Sequence, residues 1–285
     1  MNGLIILQNV PCTFEDFKLR HTIHLMSRNC FISGDYRLKI IVAIVVVAII
    51  GAFSIEPIAQ DPGYHQFADQ RGLIKIPNFF DVISNLAFVI VGVMGMRLIG
   101  SGRGTGGLPE LQAVYLTFFV GVFLTGFGSA YYHFHPDNQT LLWDRLPMTI
   151  AFMALFSAII GETISSRLAL KLFIPLLAAG VASVAYWHIS ELNGLGDLRP
   201  YVLVQFLPIV LIPLMLVLFT SRLNGNKYIW GIIGAYAISK LMEHFDAQIY
   251  SALGVVSGHS LKHLVAAFAT FIFYLALRNR QILSK

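Results

Sequence analysis

The chain is written as long apolar runs separated by short polar connections. A membrane-spanning helix needs roughly 20 apolar residues in succession, with a range of about 17–25. Eight stretches reach or approach that length: Ile40 to Ile55, Phe79 to Ile99, Leu111 to His133, Trp143 to Ile160, Ala169 to Trp187, Tyr201 to Thr220, Tyr228 to Phe245 and His259 to Leu277. Gly, Pro and charge fill the connections, as in SGRGTGGLPE after the second run and SRLNGNK after the sixth, and such residues end helices. The pattern predicts an all-α, polytopic membrane bundle with no soluble module appended. The glycines of SGRGTGGLP predict a flexible turn and not a phosphate cradle, because no strand precedes them.

Composition supports the same solvent. With 56% hydrophobic and 12% charged residues, the chain has too little polar surface to coat a soluble globule of 285 residues. Its net charge of +5 does not point to nucleic acid, since the basic residues lie in short loops beside apolar runs and not in a stripe. They report topology instead. With a cytoplasmic N-terminus, Arg71, Lys75, Arg145 and Arg199 fall outside, Lys240 and Lys262 lie within helices, and the other fourteen of the 20 Lys and Arg fall inside. Both termini are therefore expected in the cytoplasm. Residues 1–39 lack the charged start and cleavage site of a signal peptide and are expected to form a cytoplasmic tail. Cys12 and Cys30 lie in that tail with no CxxC spacing and no disulfide framework.

Histidines at the ends of apolar runs carry the chemistry. A lone intramembrane histidine is more often a hydrogen-bonded packing residue than a ligand. Here His133 closes the third run, while His259 and His263 open the eighth at i,i+4 spacing, and Ser129 precedes His133 by one turn. The topology brings all of them, with Asp144 at the start of the fourth run, to the non-cytoplasmic leaflet. Three neutral imidazoles with an open fourth position form a catalytic zinc set, in which bound water falls to a pKa of about 7. Asp144 could move a proton, orient an imidazole or simply cap its helix. Ser129 could donate to an oxyanion, or serve only as a small packing residue. A nucleophilic serine fits less well, because GFGSA is not a GxSxG elbow.

These residues carry a resemblance. GFGSAYYHFHP followed by LLWDRLPM, together with SGHSLKHLVAA, resembles the alkaline ceramidase family within the CREST superfamily of membrane hydrolases. The resemblance implies a seven-helix core holding Zn2+ through His133, His259 and His263, with Ser129 and Asp144 beside the metal; the spacings of four, eleven and four agree. It runs from about Phe67 to Leu277, with IPNFFDVISNLAFVIVG similar to the family's first helix, and leaves Ile40 to Ile55 as an extra N-terminal transmembrane helix. It implies hydrolysis of the amide of ceramide or a related N-acyl membrane lipid. The family's acidic, tryptophan-containing calcium motif is not matched, since ADQRGLIKIPN offers only Asp69 and Asn78. A zinc-containing receptor of the adiponectin-receptor type, or a histidine-based transporter or haem protein, remains the alternative.

The remaining polar residues read as support. Lys240 and Glu243, with Asp246 nearby, suggest a structural ion pair bracing the bundle more than a head-group site. Asp81, Ser84 and Asn85 suggest interhelical hydrogen bonds first and site support second. Asp197 and Arg199 are expected at the rim of the entrance, His135 in a loop, and His188 at the interface beside Trp187.

Overall fold

The computed structural model describes residues 36–283, so Cys12, Cys30 and most of the expected tail lie outside the described residues. Two compact units divide the chain: Met1–Ile44, whose described part is helical, and Val45–Lys285, which holds every element after the first helix. The first helix, α1 (Tyr36–Phe53), crosses that boundary. There follow α2 (Phe79–Ile83), α3 (Leu86–Gly100), α4 (Gln112–Phe134), α5 (Asn138–Thr163), α6 (Ser166–Leu192), α7 (Arg199–Leu218), α8 (Lys227–His244), α9 (Asp246–Leu253) and α10 (Gly258–Asn279). Among the described residues the only β-type pairings are two isolated bridges, Leu73 with Ile76 and Leu223 with Ile282.

Among the described residues, seven segments are long and apolar enough to cross a membrane: α1, the α2–α3 unit, α4 with its preceding turn, α5, α6, α7 and α10. The protein is an all-α, multi-pass membrane bundle. The remaining expected span is α8, which forms as an 18-residue helix but carries Lys227, Lys240 and Glu243. Charge on a helix of this length is tolerated where it faces protein or a cavity, and that is where Lys240 and Glu243 lie.

Helix ends follow local chemistry. Asp137 caps α5 and closes a capping box with Thr140, which starts the helix five residues before Trp143, where the apolar run begins. Ser257 caps α10 by accepting from the Ser260 N–H. Between α2 and α3 the backbone breaks at Ser84 and Asn85, and the buried Asn85 amide donates to the Asp81 carbonyl.

Packing order then sets the site. α4 lies between α3 and α5, α5 packs on α6, and α10 packs on both α8 and α3. At the bundle end away from the histidines, Arg280 grips both Glu162 oxygens at 2.8 Å, and Tyr115 donates to the same carboxylate. This buried lock ties α4, α5 and the C-terminal end of α10 together. Gly106 joins it by donating to the Leu277 carbonyl at 2.7 Å, and a Cβ there would sit 2.5 Å from the Ala276 oxygen. The expectation of a flexible turn is therefore corrected at its C-terminal half, because helix α10 pins the backbone.

Candidate metal centre

His133 sits in the last turn of α4, and His259 and His263 occupy successive turns at the start of α10. All three are buried, and one ring nitrogen from each lies within 4.8 Å of the others. The Nε2 atoms of His133 and His259 are 3.3 Å apart. Tetrahedral bonds of about 2.0–2.1 Å give ligand-to-ligand edges of about 3.3 Å, so this pair matches a zinc edge once Lys262 Nζ, 2.9 Å from His259 Nε2, gives way to the ion. The imidazoles that the sequence placed 126 residues apart therefore meet at one point.

Two glycines permit the approach. A Cβ on Gly128 would stand 2.0 Å from the Trp143 carbonyl oxygen, so α4 meets α5 one residue before Ser129 and one before Asp144. Likewise, a Cβ on Gly258 would lie 2.2 Å from the Met242 carbonyl oxygen, where α10 meets α8 one residue before His259.

Polar neighbours hold the His263 ring and the backbone of His259 and His133. The Ser84 hydroxyl is 2.8 Å from His263 Nδ1, which leaves Nε2 as the ring nitrogen free to meet a metal ion. Asp246 accepts from the His259 N–H at 2.7 Å and, through its other oxygen, from the Ala68 N–H. Asn78 donates to the His133 carbonyl. Asp81 accepts from Ser260 at 2.5 Å and so ties α2 to the histidine-bearing turn. Phe67 lies tilted against both His133 and His259, with ring centroids 4.6 and 4.7 Å away. His133 Nδ1 has no hydrogen-bond partner among the described residues. The donor set of three neutral-capable imidazoles, two with positioned neighbours, fits a zinc ion.

Ser129 is buried, and its hydroxyl faces the Asp144 carboxylate. Asp144 lies inside α5, not at its end, so Asp137 and not Asp144 is the cap. Both residues line a cavity of about 320 Å³ together with His263. From Ser129 down α4 to Phe118, and from Asp144 down α5 to Leu155, the lining continues for eleven residues, about 16 Å at the helical rise. That lower part is mainly apolar, with Phe118, Val122, Phe152, Leu155, Phe206 and Ile232 among its walls.

Other expectations change in detail. Asp246 leaves the Lys240 and Glu243 set, because its carboxylate serves the His259 and Ala68 amides. Asp197 and Arg199 do not form an open rim: Asp197 is buried and held by two Arg199 bonds of 2.8 Å, while Arg199 also donates to the Ile55 carbonyl. Arg71 treats Asp69 in the same way and donates to the Val255 carbonyl. These guanidinium contacts hold both carboxyls below the usual carboxylate range. His135 is exposed at the end of α4, and His188 stands beside Trp187 as expected. Phe67 and Lys262 gave no distinctive sequence signal, whereas Ser84 and Asp81 were visible as polar residues in an apolar run.

An all-α membrane bundle with three buried histidines gathered beside a serine and an aspartate defines a class of membrane proteins whose helices bring together side chains that could hold a metal ion. The family model described as Ceramidase matches residues 74–277, and the chain belongs to that family. No curated protein and no solved structure matches the chain. Family membership supports a hydrolase that cleaves ceramide.

Proposed function

We propose that this protein is a zinc-dependent membrane amidohydrolase that cleaves ceramide or a related N-acyl lipid to a fatty acid and a long-chain amine. The observation that carries this reading is the meeting of His133, His259, His263, Ser129 and Asp144 beside a cavity whose deeper walls are apolar. His133, His259 and His263 would hold the zinc ion, which would supply Lewis acidity toward the amide carbonyl and lower the pKa of bound water toward neutrality.

The chain's own groups then divide the work. Asp144 accepts a proton from water as its oxygen bonds to the carbonyl carbon, and returns that proton to the amide nitrogen as the C–N bond breaks. Ser129 donates a hydrogen bond to the carbonyl oxygen as it gains charge. Ser84 holds the His263 ring in its ligating orientation. The acyl chain lies along the apolar wall, about 16 Å long at the helical rise, and enters from the bilayer. The distribution of Lys and Arg favours cytoplasmic termini, with the histidines toward the opposite leaflet.

The test is fatty-acid release from N-palmitoyl sphingosine by the purified full chain in detergent. Release that a chelator abolishes and added zinc restores is expected. A protein that holds zinc and cleaves no N-acyl lipid would overturn the reading and favour a receptor role.

A further inference from the structure

The cavity beside the histidines carries more positive charge than holding the bundle together requires. Three cations and two anions line it: Arg145, Lys240 and Lys262 against Asp144 and Glu243. Lys262 on α10 reaches Glu243 on α8 at 3.1 Å, which neutralises that carboxylate and joins the two helices. Lys240 reaches the other Glu243 oxygen at 2.6 Å, but it lies on the same helix three residues away. Its contact therefore braces nothing across the bundle. Two ammonium groups share one carboxylate, and the trio keeps one positive charge.

That surplus sits next to the metal ligands. Lys262 Nζ is 2.9 Å from His259 Nε2, so the trio starts within one contact of the histidines. On the α5 side, Arg145 is 5% exposed and lies over the rings of Trp187 and Tyr201, 4.2 and 4.7 Å from their centroids. One of its terminal nitrogens, Nη2, donates to Gln60 Oε1, while Nη1 is buried without a hydrogen-bond partner among the described residues. Buried charge in a membrane bundle is costly unless it is paired or used. Lys240 is 36% exposed and Lys262 16%, so the surplus lies in the partly open end of the cavity, where an excess of like charge attracts an oppositely charged ligand and repels a matching one.

We propose that the polar end of this cavity is a head-group site for an anion, and that the preferred substrate is an N-acyl lipid bearing a phosphate or carboxylate a few bonds from its amide nitrogen. Lys240 and Lys262 contact the anion, and Arg145 adds its field from the opposite wall. A neutral head group leaves the surplus charge uncompensated, and a cationic one is repelled. The inference rests on the amidohydrolase reading for where the amide lies, but its binding component can be measured separately.

The experiment compares N-palmitoyl sphingosine with its 1-phosphate and with N-palmitoyl glycine, using the full chain loaded with zinc. Dissociation constants are measured for the isosteres in which CH2 replaces the amide N–H, and kcat/KM for the cleavable lipids. At least one anionic isostere should bind about tenfold more tightly than the neutral one. Whether the phosphate or the carboxylate leads identifies the anion. In Lys240→Gln the anionic-to-neutral ratio should fall about tenfold, and Lys240→Arg should restore most of it. Equal or stronger binding of the neutral isostere to wild type, or a ratio unchanged in Lys240→Gln, overturns the head-group site even if amides are cleaved. Selective binding that Lys240→Gln removes, with no cleavage of any lipid, would leave the site standing and remove the hydrolase.

Discussion

At the scale of single residues, the proposed mechanism gives separable jobs to groups within a few ångströms of one another. Ser129→Ala removes one donor to the carbonyl oxygen, so kcat should fall about 10²–10³-fold while bound zinc stays at wild-type level. Ser84→Ala frees the His263 ring, so zinc affinity should weaken about 10–100-fold in a chelator-competition titration. If Ser129→Ala also lost the metal, Ser129 would be a structural residue. Much of the site was legible in the sequence at this scale. His133, His259 and His263 stood out because imidazoles are rare in apolar runs and because i,i+4 spacing shares a face. Phe67 was not legible, since a phenylalanine in a polar loop has no pattern to mark its ring as a wall of the site. Asp246 was misgrouped because sequence spacing pointed it toward Glu243, whereas the turn into α9 directs it to the amide of His259.

Among the elements, close backbone approach decides whether distant residues meet. Gly128→Ala places a methyl group against the Trp143 carbonyl, which should cost about 1–3 kcal/mol of stability and part α4 from α5. A lower melting temperature with a larger loss of kcat than of bound zinc is expected. At the far end, Glu162→Gln leaves Arg280 without its carboxylate in a buried setting, a change that typically costs about 3–5 kcal/mol. Thermal unfolding in detergent reads this directly, and an unchanged midpoint would show that the lock contributes little. The long helices were readable from apolar run length alone, whereas the short α9 was not, because Asp246–Leu253 lies between two apolar runs. Boundaries were less so: α5 begins at Asn138 because Asp137 and Thr140 form a capping box in a polar stretch that hydropathy skips over. With Lys227, Lys240 and Glu243, α8 carries more charge than a spanning segment tolerates by composition, although Lys240 and Glu243 line a cavity.

For the whole molecule, the segment between α1 and α2 covers the histidines and is anchored by Asp69 with Arg71 and by Asp197 with Arg199. Guanidinium hydrogen bonds lower both carboxyl pKa values. A lowered folded value means that the stabilisation is present above the ordinary pKa of about 3.9 and is lost as pH falls through the folded value. Proteolysis of residues 54–78 should therefore be insensitive to these pairs between about pH 8 and 5 and should rise below about pH 4. Release of the segment near neutral pH would remove the anchoring role. The membrane class and the gathering of the histidines were legible at this scale, because composition sets the solvent and helix direction brings alternate helix ends to one side. How the loop closes over the site was not, since it depends on pairings such as Arg199 with the Ile55 carbonyl, 144 residues apart.

The central claim is that His133, His259 and His263 hold one zinc ion together. Zinc-edge X-ray absorption on the purified chain, with metal content measured on the same sample, tests this most directly. One zinc per chain, with three imidazole nitrogens at about 2.0–2.1 Å and loss of that metal in His263→Ala, is the expected result. Sulfur ligands, or zinc retained at full occupancy in His263→Ala, would contradict it.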